Sequence, residues 1–173
     1  AAHKMTTHLT NGRNALRQAR PNGLLCAGIS QGYLGPHNGF YRPYFGTGTL
    51  RDNWAAAMAA NANWVCLCTW NDFAETTHFE PAAWGRDVML KLNREFVRQW
   101  RGEPGPNRPP QVFLSYKDEV TLGDDWHLEI TSLPYSTPES NCRIRLLKLA
   151  GDIVHDVEPV NLPEDELFTH IHR

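Results

Sequence analysis

With 173 residues, a 41% hydrophobic share and a formal charge of −2 at pH 7, the chain has the composition of a packed globular protein, with length for one ordinary domain or two small ones. The near-neutral balance and the absence of any Lys/Arg block leave no electrostatic footprint for nucleic acid or an anionic membrane, so neither is expected as a partner. No apolar run reaches the roughly 20 residues that a bilayer-crossing helix needs; the longest candidate, "WAAAMAANANWVCLC", carries Asn61 and Asn63 in its middle.

The chain starts at Ala1, and "AAHKMTTHLTNGRNALRQAR" lacks the basic start, apolar centre and small-residue cleavage site of a signal peptide, which leaves the compartment open. Residues 1–19 favour helix through Leu9, Leu16 and several alanines, and "RPNG" is a stop signal. "LLCAGIS" is a short continuous apolar run, the pattern of a strand covered on both faces in a parallel sheet. The next stretch, "QGYLGPHNGFYRPYFGTG", is a long loop dense in Gly, Pro and aromatics, and loops of that length in compact domains carry function or stay disordered.

Thr49 or Asp52 is the candidate cap of a second helix, "LRDNWAAAMAANA", with Asn63 suited to its end. "WVCLCTW" reads as a second apolar strand. Cys66 and Cys68 share one face of it and are expected in the core as unreactive thiols; Cys26 and Cys142 complete a set too small for a disulfide framework and without the spacing of a zinc site. After "NDFAETTHFEP", a third helix follows in "GRDVMLKLNREFVRQWRG", with Val88, Leu92, Phe96 and Trp100 at helical spacing. Trp54 and Trp100 on these helical faces are read as core. Helix and strand alternate through this half, which points to parallel strands joined by crossovers, an α/β class.

"GEPGPNRPPQ", residues 102–110 and the Gln that follows, reads as a linker after a first domain of residues 1–101. Beyond it the period changes to two: "QVFLSY", "WHLEITSL" and "CRIRLLKL" alternate between turn-forming stretches, giving a second domain over 111–173 with at most five short strands, part of an antiparallel β-sandwich-like sheet. His170 and His172 in "FTHIH" fall on one face if that segment is a strand; with no third ligand near in sequence, a surface or frayed end is the favoured reading, and no metal or cofactor is expected.

The segment "TWNDFAETTHFEP" sets Asp72 and Glu75 three positions apart directly after the second apolar strand. On a straight strand they point to opposite faces and sit about 10 Å apart. If the strand ends near Trp70 or Asn71 and the chain bends through Phe73 and Ala74, both carboxylates converge at the strand's carboxyl end, where parallel α/β sheets bind ligands. Two carboxylates flanking a cavity suit acid–base cleavage of an acetal. Trp70 offers a flat apolar face to a sugar ring, and Asn71, Thr76, Thr77 and His78 offer donors and acceptors to hydroxyls. From spacing alone a solvated or helix-capping acidic pair is the simpler reading.

"TWNDFAETTHFEP" resembles the segment at the end of the last barrel strand in glycoside hydrolase family 71, the endo-1,3-α-glucanases, and more loosely the "WNEW-x-EG" segment of family 99, the endo-α-mannosidase type. "GYLGPHNGFYRPYFGTGTLRDNW" resembles the preceding loop and helix of these enzymes, and the likeness covers roughly residues 20–100. The resemblance implies a (β/α)8 barrel glycosidase with Asp72 and Glu75 as the catalytic pair, Asp72 the base-like member and Glu75 the general acid. It also implies that Tyr33, Tyr41 and Arg42 line sugar subsites, with Trp70, Asn71 and His78 beside the pair, while Glu80-Pro81 shapes the loop exit. Phe73, Ala74 and "TTH" are not the commonest letters of either family, so α-1,3-glucan and α-mannan both stay open as the polysaccharide or oligosaccharide substrate. Because a barrel needs about 250 residues, the chain is expected to be a C-terminal fragment carrying the last two strands, inactive by itself, from a parent for which a secreted or periplasmic site is favoured by the substrate class. A carbohydrate-binding or structural module without catalysis is the rival reading, and a small metal protein a remote third.

Overall fold

The computed structural model describes residues 2–83, 85–105, 108–109, 111–117, 119–135, 140–148, 151, 153–162 and 167–172. The chain divides into two compact units, Ala1–Trp100 and Arg101–Arg173.

In the first unit, helix α1 (Ala2–Ala19) leads to strand β1 (Cys26–Ile29), the short strands β2 (Tyr33–Leu34) and β3 (Tyr41–Arg42), helix α2 (Gly48–Ala59), strand β4 (Trp64–Leu67) and helix α3 (Val88–Trp100). Strands β1 and β4 pair in parallel, with Cys26 opposite Trp64 and Ile29 opposite Leu67. Between them, β2 and β3 form an antiparallel pair, Tyr33 opposite Arg42 and Leu34 opposite Tyr41.

The core of this unit is the alanine-rich helix α2. Thr49, Leu50, Asn53, Trp54, Ala56 and Ala57 form its buried face, and the small alanines let neighbouring elements approach closely. Trp54 is fully buried, stacks on Phe96 at 5.8 Å between ring centroids, and donates from Nε1 to Asn93 Oδ1 at 2.9 Å. Trp100 closes the cluster, donating from Nε1 to the Ala62 carbonyl at 3.2 Å. On α3, buried Glu95 is held by Arg98 Nε at 3.0 Å and Gln99 Nε2 at 3.0 Å, so its charge is compensated where burial alone would penalise it.

Helix α2 ends at Ala59, four residues before the expected stop at Asn63. Asn61 takes φ 49°, its N–H reaches Met58 O at 2.9 Å, and Ala62 N–H reaches Ala57 O at 3.0 Å, the paired bonds of a Schellman ending. Neither Thr49 nor Asp52 starts the helix: Thr47 precedes it, while Thr49 donates its hydroxyl to Pro43 O at 2.6 Å. Buried Arg13 of α1 then satisfies the carbonyls left at the end of α2, donating to Ala60 O at 3.3 Å and to Asn61 O, with Nη1 on Asn63 Oδ1 at 2.6 Å. Asn63 Oδ1 also accepts from Leu25 N at 3.1 Å, so one amide registers β4 against β1.

Contrary to the expectation of strands covered on both sides, only one face of β1 is buried, and β4 has no buried residue, Val65 being half-buried and Leu67 exposed. Ala27 and Ile29 are fully enclosed on the side packed against α2, whereas Cys26, Gly28, Trp64 and Cys66 lie open on the other, Trp64 with 62% of its surface exposed. The thiols therefore correct the sequence reading: Cys26 and Cys66 are exposed and Cys68 is half-buried, because no described element packs over their face. The described strands of this unit close no barrel.

In the second unit, β5 (Gln111–Tyr116), β6 (Leu128–Leu133) and β9 (Phe168–His172) make an antiparallel sheet in the order β5-β6-β9, and β7 (Ser140–Leu147) pairs with β8 (Ile153–Leu162). Strand β5 alternates in burial, but β6 is buried along its whole length, Glu129, Thr131 and Ser132 included. The alternating letters of "WHLEITSL" predict one wet face; β6 is instead buried on both faces. Tyr135 is buried and donates its hydroxyl to Leu162 O at 2.6 Å, tying the residues after β6 to the end of β8. His170 and His172 fall in β9 opposite Ile130 and Leu128, but their side chains, like that of Cys142, lie outside the described residues. Among the described residues no helix is long and apolar enough to cross a membrane, and no group of three or more His, Cys, Asp or Glu is arranged to hold a metal.

Candidate functional site

The candidate site is built on the chain's exit from β4. The strand ends at Leu67, the peptide between Cys68 and Thr69 is cis, and the chain then turns back on itself. Thr69 N–H donates to Thr77 O at 3.0 Å, Phe79 N–H to Thr69 O at 2.9 Å, and the two threonine hydroxyls share a hydrogen bond at 2.9 Å. These bonds close a neck, and residues 70–76 form the loop beyond it.

Inside the loop, Asp72 is a turn former. Its backbone N–H donates to Thr69 Oγ1 at 3.3 Å, its Oδ1 accepts from Glu75 N–H at 3.0 Å, and its carbonyl accepts from Thr77 N–H at 3.2 Å. This is how an Asp side chain closes its own local turn. The bend expected through Phe73 and Ala74 is present, with Thr76 at φ 57° completing it. A β-branched residue in the left-handed region stores strain of about 1–3 kcal/mol. Tyr44 braces the position by donating its hydroxyl to Thr76 O. Burial raises the Tyr44 phenol above its ordinary 10.0, with the Thr76 hydrogen bond pulling the other way.

Glu75 emerges from this turn towards β2. Its carbonyl accepts from Leu34 N–H at 2.8 Å, and Oε1 lies 3.4 Å from the Tyr33 hydroxyl, which in turn accepts from Asn38 Nδ2 at 3.2 Å. Glycine is required at position 35 to let the hairpin close: a Cβ there would sit 2.0 Å from Asn38 Oδ1 and 2.8 Å from the Tyr33 ring. Tyr33, Arg42, Cys68, Thr69, Glu75 and Thr77 share a cavity of about 380 Å³ beyond the carboxyl ends of β1 and β4.

The named site residues thus divide. Glu75, Tyr33 and Arg42 line one cavity. Asp72 is half-buried and does not line it. Tyr41, Trp70 and Asn71 are exposed, Trp70 at 56%. His78 is buried, stacks on Phe73 at 4.3 Å, and faces a second cavity of about 190 Å³ shared with Gln31, Tyr44, Glu80 and Arg86. Gln31 Nε2 also donates to the His78 carbonyl, which fixes the loop's return to the body of the unit. Thr77, expected from the sequence to face hydroxyls, lines the first cavity, and Cys68, Thr69, Ser30 and Phe40 line it without having been singled out. Cys68 was legible in principle, two residues beyond Cys66 on the same side of β4, whereas Ser30 and Phe40 carry no local signal.

Chemically, this cavity offers one carboxyl within reach of a phenol, one guanidinium, and hydroxyls at Thr69 and Thr77. Such a set can bind a polyhydroxylated ligand by hydrogen bonds and deliver or accept one proton at Glu75. No family model, curated protein or solved structure matches the chain.

Proposed function

We propose that residues 1–101 supply the closing strands and one wall of the active site of a (β/α)8 glycoside hydrolase acting on an α-linked polysaccharide, α-1,3-glucan before α-mannan. In this reading Glu75 is the general acid and Asp72 the base-like partner, with Tyr33, Tyr41 and Arg42 on the sugar subsites and Trp70, Asn71 and His78 around the pair. The observation that carries the proposal is the position of Glu75, in a cavity beyond the carboxyl ends of two parallel strands and beside Tyr33 and Arg42. The open face of β1 and β4 also supports it, since a barrel strand presents that side to the other strands and their side chains.

In mechanism, Glu75 would protonate the glycosidic oxygen as the bond breaks, the Tyr33 hydroxyl steadying its carboxyl, while Asp72 activates the attacking water or itself acts as the nucleophile. That role requires Asp72 to present its second carboxylate oxygen while Oδ1 holds the Glu75 N–H. The test is hydrolysis of α-1,3-glucan and α-mannan by the longer chain that carries the remaining strands. Glu75→Gln and Asp72→Asn are each expected to lower turnover by about a hundredfold or more; near-wild-type turnover on both polymers by either variant removes that residue from the pair.

The second reading, a carbohydrate-binding module without catalysis, is favoured by one observation: Asp72 is engaged in its own turn and does not line the cavity. Calorimetric titration of the 173-residue chain with α-1,3-gluco-oligosaccharides separates the two. Binding that survives Asp72→Asn, together with no hydrolysis by the longer chain, favours the module.

A further inference from the structure

The open side of β1 and β4 carries three thiols that the carbohydrate reading does not use. Cys66 and Cys68 are two residues apart, so the strand's alternation puts both on one side, and Cys68 Sγ donates to Cys66 Sγ at 3.9 Å. Cys26 pairs with Trp64 and Gly28 with Cys66, which sets Cys26 on the same side, diagonal to Cys66. Opposite Cys66, Gly28 leaves the space clear: a Cβ there would meet only Cys68 Sγ, at 3.9 Å. Strand β4 stops at Leu67 and the backbone bends at Cys68. Even an unbent strand spaces alternate Cα atoms by about 6.5 Å, inside the roughly 4.4–6.8 Å span of disulfides.

We propose that Cys66 and Cys68 form a thiol–disulfide exchange site that low-molecular-weight disulfides of the glutathione class convert to an intrachain disulfide. The roles of the two sulfurs follow from their surroundings. Burial raises the Cys68 thiol, and its hydrogen bond to Cys66 and the neighbouring sulfurs of Cys66 and Cys26 act the same way, so Cys68 keeps its proton and donates it towards Cys66. Exposed Cys66, as thiolate, attacks one sulfur of the small disulfide, forming a mixed disulfide and expelling one thiolate. Cys68 then gives its proton to the expelled thiolate and attacks Cys66 Sγ, releasing the second small group as a thiolate that takes up from water the proton Cys66 had given to it. Two protein thiols are oxidised, one small disulfide is reduced to two thiols, and no other reactant enters. Cys68 also borders the cavity that holds Glu75, which gives the oxidant an approach from that side. The exchange stands apart from glycoside hydrolysis and is read without it.

The test equilibrates the full 173-residue chain with graded mixtures of oxidised and reduced glutathione, then measures intact mass and tryptic peptide masses. Cleavage after Arg51 and Arg86 leaves Cys66 and Cys68 in one peptide without Cys26. The wild type is expected to lose two hydrogens within that peptide and retain no glutathione. Cys68→Ser is expected to stop as a stable glutathione adduct on Cys66, and Cys26→Ser to behave as wild type, with far-UV circular dichroism confirming that both variants fold. A wild type that keeps the adduct, that cross-links Cys26 instead, or whose Cys66 and Cys68 stay reduced in fully oxidised glutathione overturns the proposal.

Discussion

Asp72 holds a turn, and the catalytic charge proposed for it can be tested apart from that by substitution. Its Oδ1 accepts the Glu75 N–H, a bond that Asn can also accept and Ala cannot. Asp72→Ala is therefore expected to lower stability by about 1 kcal/mol in urea unfolding, and Asp72→Asn to stay within about 0.5 kcal/mol of the parent. Any loss of hydrolysis in the Asn variant then reports on charge, since the turn is kept. Thr76, four positions on, makes the opposite case: at φ 57° it is strained, so Thr76→Gly is expected to raise the urea midpoint by the equivalent of about 1 kcal/mol. Tyr44, which braces Thr76, links this corner to pH. Its folded phenol holds its proton more tightly than the ordinary 10.0, so its contribution is complete below pH 10 and lost as pH rises through the raised folded value. Urea midpoints measured from pH 8 to 11 are expected to fall at the alkaline end, and to fall less steeply in Tyr44→Phe.

At the level of elements, the end of α2 concentrates several contacts on a few side chains. Arg13 bonds Ala60 O, Asn61 O and Asn63 Oδ1 from a buried position, and Arg13→Met is expected to cost roughly 2–3 kcal/mol by leaving those acceptors unmet. At Asn61, with φ 49°, Ala is expected to destabilise by about 1 kcal/mol while Gly is tolerated; thermal melts of both variants check it. The periodicity of α3 was legible because Leu92, Phe96 and Trp100 recur on one face. The end of α2 was less so: Asn61 and Asn63 are the same letter, and only the carbonyls of Ala57 and Met58 select between them. The alternation of β6 misled for a related reason, since Glu129 and Thr131 are polar yet buried in the middle strand of a sheet. The thiols misled in the other direction, because an apolar strand predicts burial but the number of its faces that are covered depends on neighbours that local sequence does not name.

Across the whole molecule, residues 101–105 are exposed at the boundary between the two units, and limited tryptic digestion is expected to cut first at Arg101; gel and mass analysis showing earlier cuts inside either unit would contradict that boundary. The site shows what long-range folding adds to a readable motif. The carboxylates and their bend are legible in "NDFAET", whereas the cavity is not, because Tyr33 and Arg42 reach Glu75 through a hairpin some forty residues earlier that is held by Leu34 N–H on the Glu75 carbonyl. The Thr69–Thr77 neck has a further consequence. The stretch from Trp70 to Thr76 is clamped at both ends by main-chain bonds and a hydroxyl pair and is fastened between them by Leu34 N–H on the Glu75 carbonyl and the Tyr44 hydroxyl on the Thr76 carbonyl. The exposed side chains of Trp70, Asn71 and Ala74 can then be exchanged while these fastenings, made by main-chain groups and by other residues, keep their grip.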